Sequence, residues 1–96
     1  MTTNDTTPTV GITAETIEAE LLAHLEARTK TSLTSDHDLF GSGLVTSMFA
    51  MELVVHLEGT YGIVISGPDL KLDHFRTVQS MVALVLRLHE AVVDRG

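Results

Sequence analysis

The residue best placed to do chemistry in this chain is Ser47, which follows Thr46 and a glycine-containing stretch. Gly41 and Gly43 let the backbone turn freely, whereas residues 44–58 contain neither glycine nor proline. This change predicts that a loop delivers both hydroxyls to the start of a helix. A serine there has two possible roles. It can cap the N–H groups of the first turn, or it can be esterified by a phosphate group, which the positive end of the helix dipole favours.

The residues after Ser47 repeat with the period of a helix. One stripe, at three- and four-residue steps, is typical of a core-facing side and consists of Ala50, Leu53, Val54, Leu57 and Tyr61. A second apolar stripe, Met48, Met51 and Val55, points too far from the first for all of both sets to face one small core. Such a strip beside a helix-start serine favours a surface that another protein contacts. The alternative, that a further helix covers the strip, stays open because periodicity does not decide it.

Three more helices are predicted around this one. Thr13 can cap a first helix that runs to about Thr29, and Thr77 can cap a last helix from Val78 to about Asp94. Residues 70–75 are long enough for about one helical turn. The inward stripes of the first and last helices are Ile17, Leu21, Leu22 and Leu25, and Val78, Met81, Val82, Val85, Leu88 and Val92. The predicted fold is an all-α small helical bundle of three long helices plus one short helix.

The connections between these helices carry few structural signals. Residues 30–43 form a long polar connection that Leu33, Leu39 and Phe40 are expected to pin to the core. Gly62 can end the second helix in a left-handed turn. Residues 63–65 are β-branched, but no second strand is present to pair with them, so we expect an extended loop.

Composition bounds the class of protein. Ninety-six residues make one domain, and 6 Lys+Arg against 13 Asp+Glu give a formal charge of −7, which disfavours nucleic acid and anionic membranes as partners. Basic protein surfaces are favoured instead. There is no cysteine, no apolar run of membrane-spanning length and no secretory signal, so the expected location is the cytoplasm.

The sequence does not indicate an enzyme or a metal protein. Gly41-Ser42-Gly43 and Ser47 do not form the nucleophile elbow of serine hydrolases. The five histidines are scattered without metal-ligand spacing, and Asp36-His37-Asp38 is interpreted as ordinary loop sequence. We therefore expect no catalytic residue and no metal site.

The motif around Ser47 resembles the acyl carrier proteins. Leu39-Phe40 with Gly43-Leu44-Val45-Thr46-Ser47-Met48 is similar to the hydrophobic-Phe-x-x-Gly-hydrophobic-x-Ser-hydrophobic pattern of that family. Its serine receives the 4′-phosphopantetheine arm of coenzyme A. The resemblance extends more loosely from about residue 15 to residue 93. Met48 stands where the commonest motif has leucine, which is a volume-conserving change. Thr46 stands where that motif has aspartate, and the loss of this carboxylate bears on which transferase recognises the chain.

This resemblance implies a carrier domain at residues 12–94 behind a mobile tail at residues 1–11, with the arm attached to Ser47. It implies that the protein is non-catalytic and is a substrate of a phosphopantetheinyl transferase. Its further partners would be acyl-loading and extender-unit-modifying enzymes and a ketosynthase or acyltransferase. The sequence from Gly43 to Met51 resembles that of the free-standing carriers of methoxymalonyl, hydroxymalonyl or aminomalonyl units in polyketide or hybrid polyketide–peptide biosynthesis. The predicted partner-binding residues are Leu44, Val45, Thr46, Met48, Met51, Glu52 and Val55.

Two alternatives remain at this point. In one, the chain is a small helical adaptor that binds a partner through the strip around Met48, Met51 and Val55, with Ser47 only a helix cap. In the other, it is a carrier from peptide synthesis, although those usually have a different glycine-rich approach to the serine.

Overall fold

The part of the chain that the structure describes folds into four α-helices. The computed structural model describes residues 12–95, with side chains described as far as residue 90. The helices are α1 (Ala14–Thr29), α2 (Ser47–Tyr61), α3 (Leu72–Phe75) and α4 (Val78–Arg95), and a 3₁₀ turn at Gly67–Asp69 precedes α3. Residues 12–95 contain no strand, so the predicted all-α bundle of three long helices and one short helix is confirmed. The predicted tail at residues 1–11 and the stripe residue Val92 lie outside the residues so described.

Side-chain caps explain where the two outer helices begin. The Thr13 hydroxyl accepts the N–H of Thr16 at 3.2 Å, and the Thr16 hydroxyl accepts the N–H of Thr13 at 3.0 Å. Thr77 Oγ1 likewise accepts the N–H of Ser80 at 3.0 Å at the start of α4. Both predicted caps are confirmed. Gly62, with a φ of 65°, ends α2 in the predicted left-handed turn.

The core is mostly aliphatic and is shared by all four helices, with Phe75 as the buried residue of α3. Its fully buried side chains come from the predicted stripes and from the connecting loop: Ile17, Leu21, Leu25, Leu39, Leu53, Leu57, Val78, Met81 and Val85. Helix α4 packs against each of the other three helices. Leu84, which the sequence placed outside the stripe of α4, is also buried. Burial of this aliphatic surface is the main force that holds the short helices together.

The long connection between α1 and α2 is tied to the rest of the fold. Two backbone hydrogen bonds join it to the region where α4 begins. The N–H of Gln79 donates to Ser35 O at 2.9 Å, and the N–H of Leu39 donates to Arg76 O at 2.8 Å. Leu33 and Leu39 are buried as predicted, and Phe40 is partly buried against the core. The connection therefore arrives at α2 from a fixed position beside the start of α4.

The β-branched segment after α2 is an extended loop, as predicted. Ile63 and Ile65 are buried while Val64 points outward and is 71% exposed. The Ile65 N–H donates to Glu58 Oε2 at 2.8 Å, which supplies the partner that a second strand would otherwise provide.

Candidate functional site

The loop that leads into α2 is held in one shape by local hydrogen bonds. The Asp38 carboxylate accepts the N–H of Gly41 at 2.8 Å, and an ideal Cβ on that glycine would lie only 2.5 Å from Asp38 Oδ2. Gly43 adopts a left-handed φ of 81°, which favours glycine. Val45 N–H donates to Leu39 O at 3.1 Å, and both of these side chains are buried. The residues that follow Val45 therefore leave the core in a defined direction.

Asp38 carries its negative charge readily in this loop. The hydrogen bond from the Gly41 N–H is the main cause that lowers the pKa of Asp38; desolvation opposes it, and the Arg76 guanidinium, 3.5 Å away, lowers the pKa further. The ionised carboxylate thus fastens the turn that precedes α2.

Two adjacent hydroxyls at the start of α2 have different roles. Thr46 is the N-cap: its backbone is extended (φ −98°, ψ 171°) and its hydroxyl accepts the N–H of Phe49 at 3.2 Å. Ser47 is the first helical residue and is exposed, and its hydroxyl makes no hydrogen bond to any part of the chain between residues 12 and 90. The interpretation of Ser47 as the helix cap is therefore wrong, because Thr46 already provides the cap. The Ser47 hydroxyl is left free to react.

The electrostatic setting of Ser47 suits an anionic group. Ser47 lies at the positive end of a fifteen-residue helix whose first turn contains no acidic side chain. A phosphodiester on its oxygen would meet the helix dipole without a neighbouring carboxylate to repel it. The residues present thus fit an esterified phosphate.

Exposed apolar side chains follow Ser47 along one face of α2. Met48 is 80% exposed, Met51 59% and Val55 68%, and we call these three residues the α2 apolar surface. No helix of the described chain covers them, so the expectation that this stripe stays outside the core is met. Leu44 is half-buried beside it. Val45 was predicted to belong to the same surface, and that is wrong: it is 2% exposed because it anchors the loop in the core.

A shallow groove of about 200 Å³ opens next to Ser47, between α2 and the segment that contains α3. Its lining is mostly apolar and consists of Ser47, Ala50, Met51, Val54, Leu70, Lys71, Leu72 and Phe75. Leu70 and Leu72 are 44% and 54% exposed, so the groove is open along its outer edge. A group attached to Ser47 therefore starts at the mouth of an apolar groove.

The charge of Glu52, another predicted partner-binding residue, is already paired within the chain. Arg28 Nη2 of α1 lies 2.7 Å from Glu52 Oε1, and both side chains are about half exposed. The same guanidinium lies over the Phe49 ring, 4.8 Å from its centroid. Arg28 thus connects α1 to the first turns of α2 and reduces the field that Glu52 presents to a partner.

Residues 19–85 match the model of the phosphopantetheine attachment site family. The matched range runs from α1 into α4, includes Ser47 and covers more than half of the chain. The chain belongs to this family. A comparison with curated proteins gave no match.

The family to which this phosphopantetheine-attachment domain belongs determines its cofactor and its general mode of action. The cofactor of the family is 4′-phosphopantetheine, held covalently, and the domains that carry it are generally non-catalytic and work with partner enzymes. The match is consistent with the resemblance to acyl carrier proteins. Among the helices described, none combines the length and apolar character that a membrane crossing requires.

A second cluster of polar side chains joins α1 to α2 in this domain. The rings of His24 and His56 stack, with centroids 3.9 Å apart and planes 15° apart, and Glu20 Oε2 lies 2.9 Å from His56 Nε2. Burial, and then the neighbouring His56, lowers the pKa of His24; burial, and then Glu20, raises the pKa of Tyr61. These two histidines lack metal-ligand spacing in the sequence, and the fold brings them together. The four-residue step from Glu20 to His24 was the signal available in the sequence.

Proposed function

We propose that Ser47 is the residue to which the phosphopantetheine arm is attached, and that residues 12–94 form one acyl carrier domain. In this proposal the protein holds acyl or extender-unit thioesters and presents them to partner enzymes. The observation that carries it is the free, exposed hydroxyl of Ser47 at the first position of α2, beside a threonine that performs the capping.

The neighbours of Ser47 would position the arm without making or breaking bonds. When attached, the arm supplies a terminal thiol on which acyl groups travel as thioesters. The end of α2 would stabilise the phosphodiester through its dipole, and the loop fastened by Asp38 and Val45 would fix the direction in which the arm leaves. The tether then replaces a dilute substrate with a high effective concentration at each partner enzyme.

The α2 apolar surface is the proposed docking site for the transferase and the later partners. Its three residues are exposed on the helix that begins at Ser47, with Leu44 and Thr46 beside them. A formal charge of −7 would steer basic partner surfaces toward it, while the Arg28 pairing of Glu52 moderates that attraction. In this proposal the exposed apolar side chains make the contact, and the overall charge favours the encounter.

The resemblance around Ser47 supports a narrower assignment. We propose that the cargo is an extender unit of the methoxymalonyl, hydroxymalonyl or aminomalonyl type, and that the pathway is polyketide or hybrid polyketide–peptide biosynthesis. Its partners would then include acyl-loading and extender-unit-modifying enzymes and a ketosynthase or acyltransferase.

Loading with coenzyme A tests the proposed attachment. The protein is incubated with coenzyme A, magnesium and a promiscuous phosphopantetheinyl transferase, and its intact mass is measured. The expected result is a gain of one phosphopantetheinyl group in the unmutated protein and none in Ser47→Ala.

Ser42→Ala provides the matched control. Ser42 is an exposed serine of the same loop whose hydroxyl donates to Leu39 O at 3.3 Å, so this variant should load normally. Loading of Ser47→Ala, or loss of loading in a folded Ser42→Ala protein, would contradict the assignment. A folded protein that several transferases leave unmodified would favour the adaptor function of the α2 apolar surface instead.

A further inference from the structure

A group of metal-ligating side chains lies between α1 and α2, about 13 Å along the helix axis from Ser47. Glu20 and His24 are four residues apart and share one face of α1, and His56 reaches toward them from α2. One ligand atom from each residue lies within 4.8 Å of the other two. All three side chains are partly buried.

The carboxylate in this group is already oriented. Tyr61, a buried residue of α2, donates its hydroxyl to Glu20 Oε1 at 2.8 Å. The other oxygen, Oε2, lies 2.9 Å from His56 Nε2. In protein metal centres a ligating carboxylate is commonly held by a hydrogen bond from a neighbour, and Tyr61 would hold Glu20 in this way while Oε2 turns from His56 to the ion.

We propose that Glu20, His24 and His56 bind one divalent transition-metal ion of the zinc type. Two imidazole nitrogens and one carboxylate oxygen are a donor set that Zn²⁺ accepts, with a fourth position open to water. Mg²⁺ and Ca²⁺ prefer oxygen ligands alone, and the chain has no cysteine to favour a thiophilic ion. The proposal concerns α1 and α2 and does not depend on attachment of the arm to Ser47.

Binding requires rotation of side chains. Metal–ligand distances of about 2.0–2.2 Å place two ligand atoms of a tetrahedral ion roughly 3.4 Å apart. The ligand atoms of Glu20, His24 and His56 now lie within 4.8 Å of one another, so they must move somewhat closer. An imidazole nitrogen also binds a metal ion in the plane of its ring. Two rings that stack face to face cannot both direct a nitrogen at the same ion in this way. The stack of His24 on His56 therefore opens when the ion binds, and the His56–Glu20 hydrogen bond is replaced by two metal bonds. The ion would then link α1 to α2.

A titration of the untagged protein with Co²⁺, followed by competition with Zn²⁺, tests the site. We expect saturable binding of one Co²⁺ with the visible absorption of a four-coordinate ion, and its loss when Zn²⁺ displaces the cobalt. At Zn²⁺ concentrations about 100-fold above Kd, the melting temperature should rise by about 10–20 °C. The imidazole NMR resonances of His24 and His56 in the unmutated protein should shift as their rings separate.

Histidine variants distinguish this site from others on the surface. His24→Gln and His56→Gln should each weaken Co²⁺ binding by at least about tenfold, whereas His89→Gln, which changes a histidine of α4 outside the group, should leave it unchanged. Far-UV circular dichroism verifies that each variant is folded. Absence of saturable binding, equal weakening by His89→Gln, or His24 and His56 resonances that Zn²⁺ leaves unmoved would overturn the proposal.

Discussion

Replacing Thr46 and Ser47 one at a time should affect stability in very different ways, although the two residues are adjacent and both carry a hydroxyl. Thr46 Oγ1 accepts the N–H of Phe49 at the start of α2, whereas the Ser47 hydroxyl has no such bond in the described structure. Thr46→Ala removes a helix cap. Ser47→Ala removes a hydroxyl that already faces solvent.

The expected difference follows from the energetics of capping. Loss of a threonine N-cap typically lowers the free energy of unfolding by about 1 kcal/mol, within a range of about 0.5–2 kcal/mol. For a domain of this size that lowers the melting temperature by about 4–8 °C. Ser47→Ala should change the free energy by less than about 0.5 kcal/mol, because alanine is the better helix former and no buried partner is lost.

Urea denaturation of both variants, monitored by far-UV circular dichroism, measures this difference in the free energy of unfolding. Thr77→Ala serves as the matched control, since Thr77 caps α4 through the N–H of Ser80 at 3.0 Å and should cost a similar amount. If Ser47→Ala proved as destabilising as Thr46→Ala, the serine would be the cap. The free hydroxyl on which the attachment proposal depends would then not exist.

Three further predictions concern the core, the loop and the surface. Leu53→Ala should lower the free energy of unfolding by about 2–5 kcal/mol because Leu53 is fully buried, whereas Val55→Ala on the exposed face should change it by less than about 0.5 kcal/mol; urea denaturation measures both. The Gly41 N–H lowers the pKa of Asp38, so the carboxylate stabilises the fold above the ordinary aspartate pKa, and this stabilisation is lost as the pH falls through the lowered folded value. The stability difference between the unmutated protein and Asp38→Asn should thus be largest at neutral pH and shrink below about pH 4, and a difference that does not vary with pH would refute this. Met48→Ser should reduce transferase kcat/KM by roughly fivefold, the effect of losing about 1 kcal/mol of apolar contact, and an unchanged value would remove Met48 from the docking surface.

The helices were predictable because their ends carry strong local signals. Thr13 and Thr77 occupy cap positions before periodic apolar runs, and Gly62 follows the last periodic residue of α2. The stripe positions Leu53 and Leu57 are buried because a period of three to four residues specifies one face of a helix. Caps and stripes of this kind depend only on residues a few positions apart in the chain, so they can be predicted from the sequence.

Residues in the loop were harder to place, because a loop has no period. Val45 is as apolar as Leu44, yet it is buried and Leu44 is only half-buried. The N–H of Val45 donates to Leu39 O, a contact within the loop that no periodic pattern predicts. In the same way, the choice of Thr46 over Ser47 as the cap depends on the backbone angles of a single residue.

The cluster of Glu20, His24 and His56 shows what periodicity cannot supply. The sequence contains the step from Glu20 to His24, but it does not contain the register of α1 against α2 that brings His56 to them. That register is set by the packing of the whole core, so contacts between helices appear only in the folded structure.

Tandem mass spectrometry of the loaded, unmutated protein tests the central claim most directly. After reaction with coenzyme A and a promiscuous transferase, the fragments that span the loop and the start of α2 should carry one phosphopantetheinyl group on Ser47. An arm on Ser42 or Thr46, or no arm at all on a protein shown to be folded, would contradict the account.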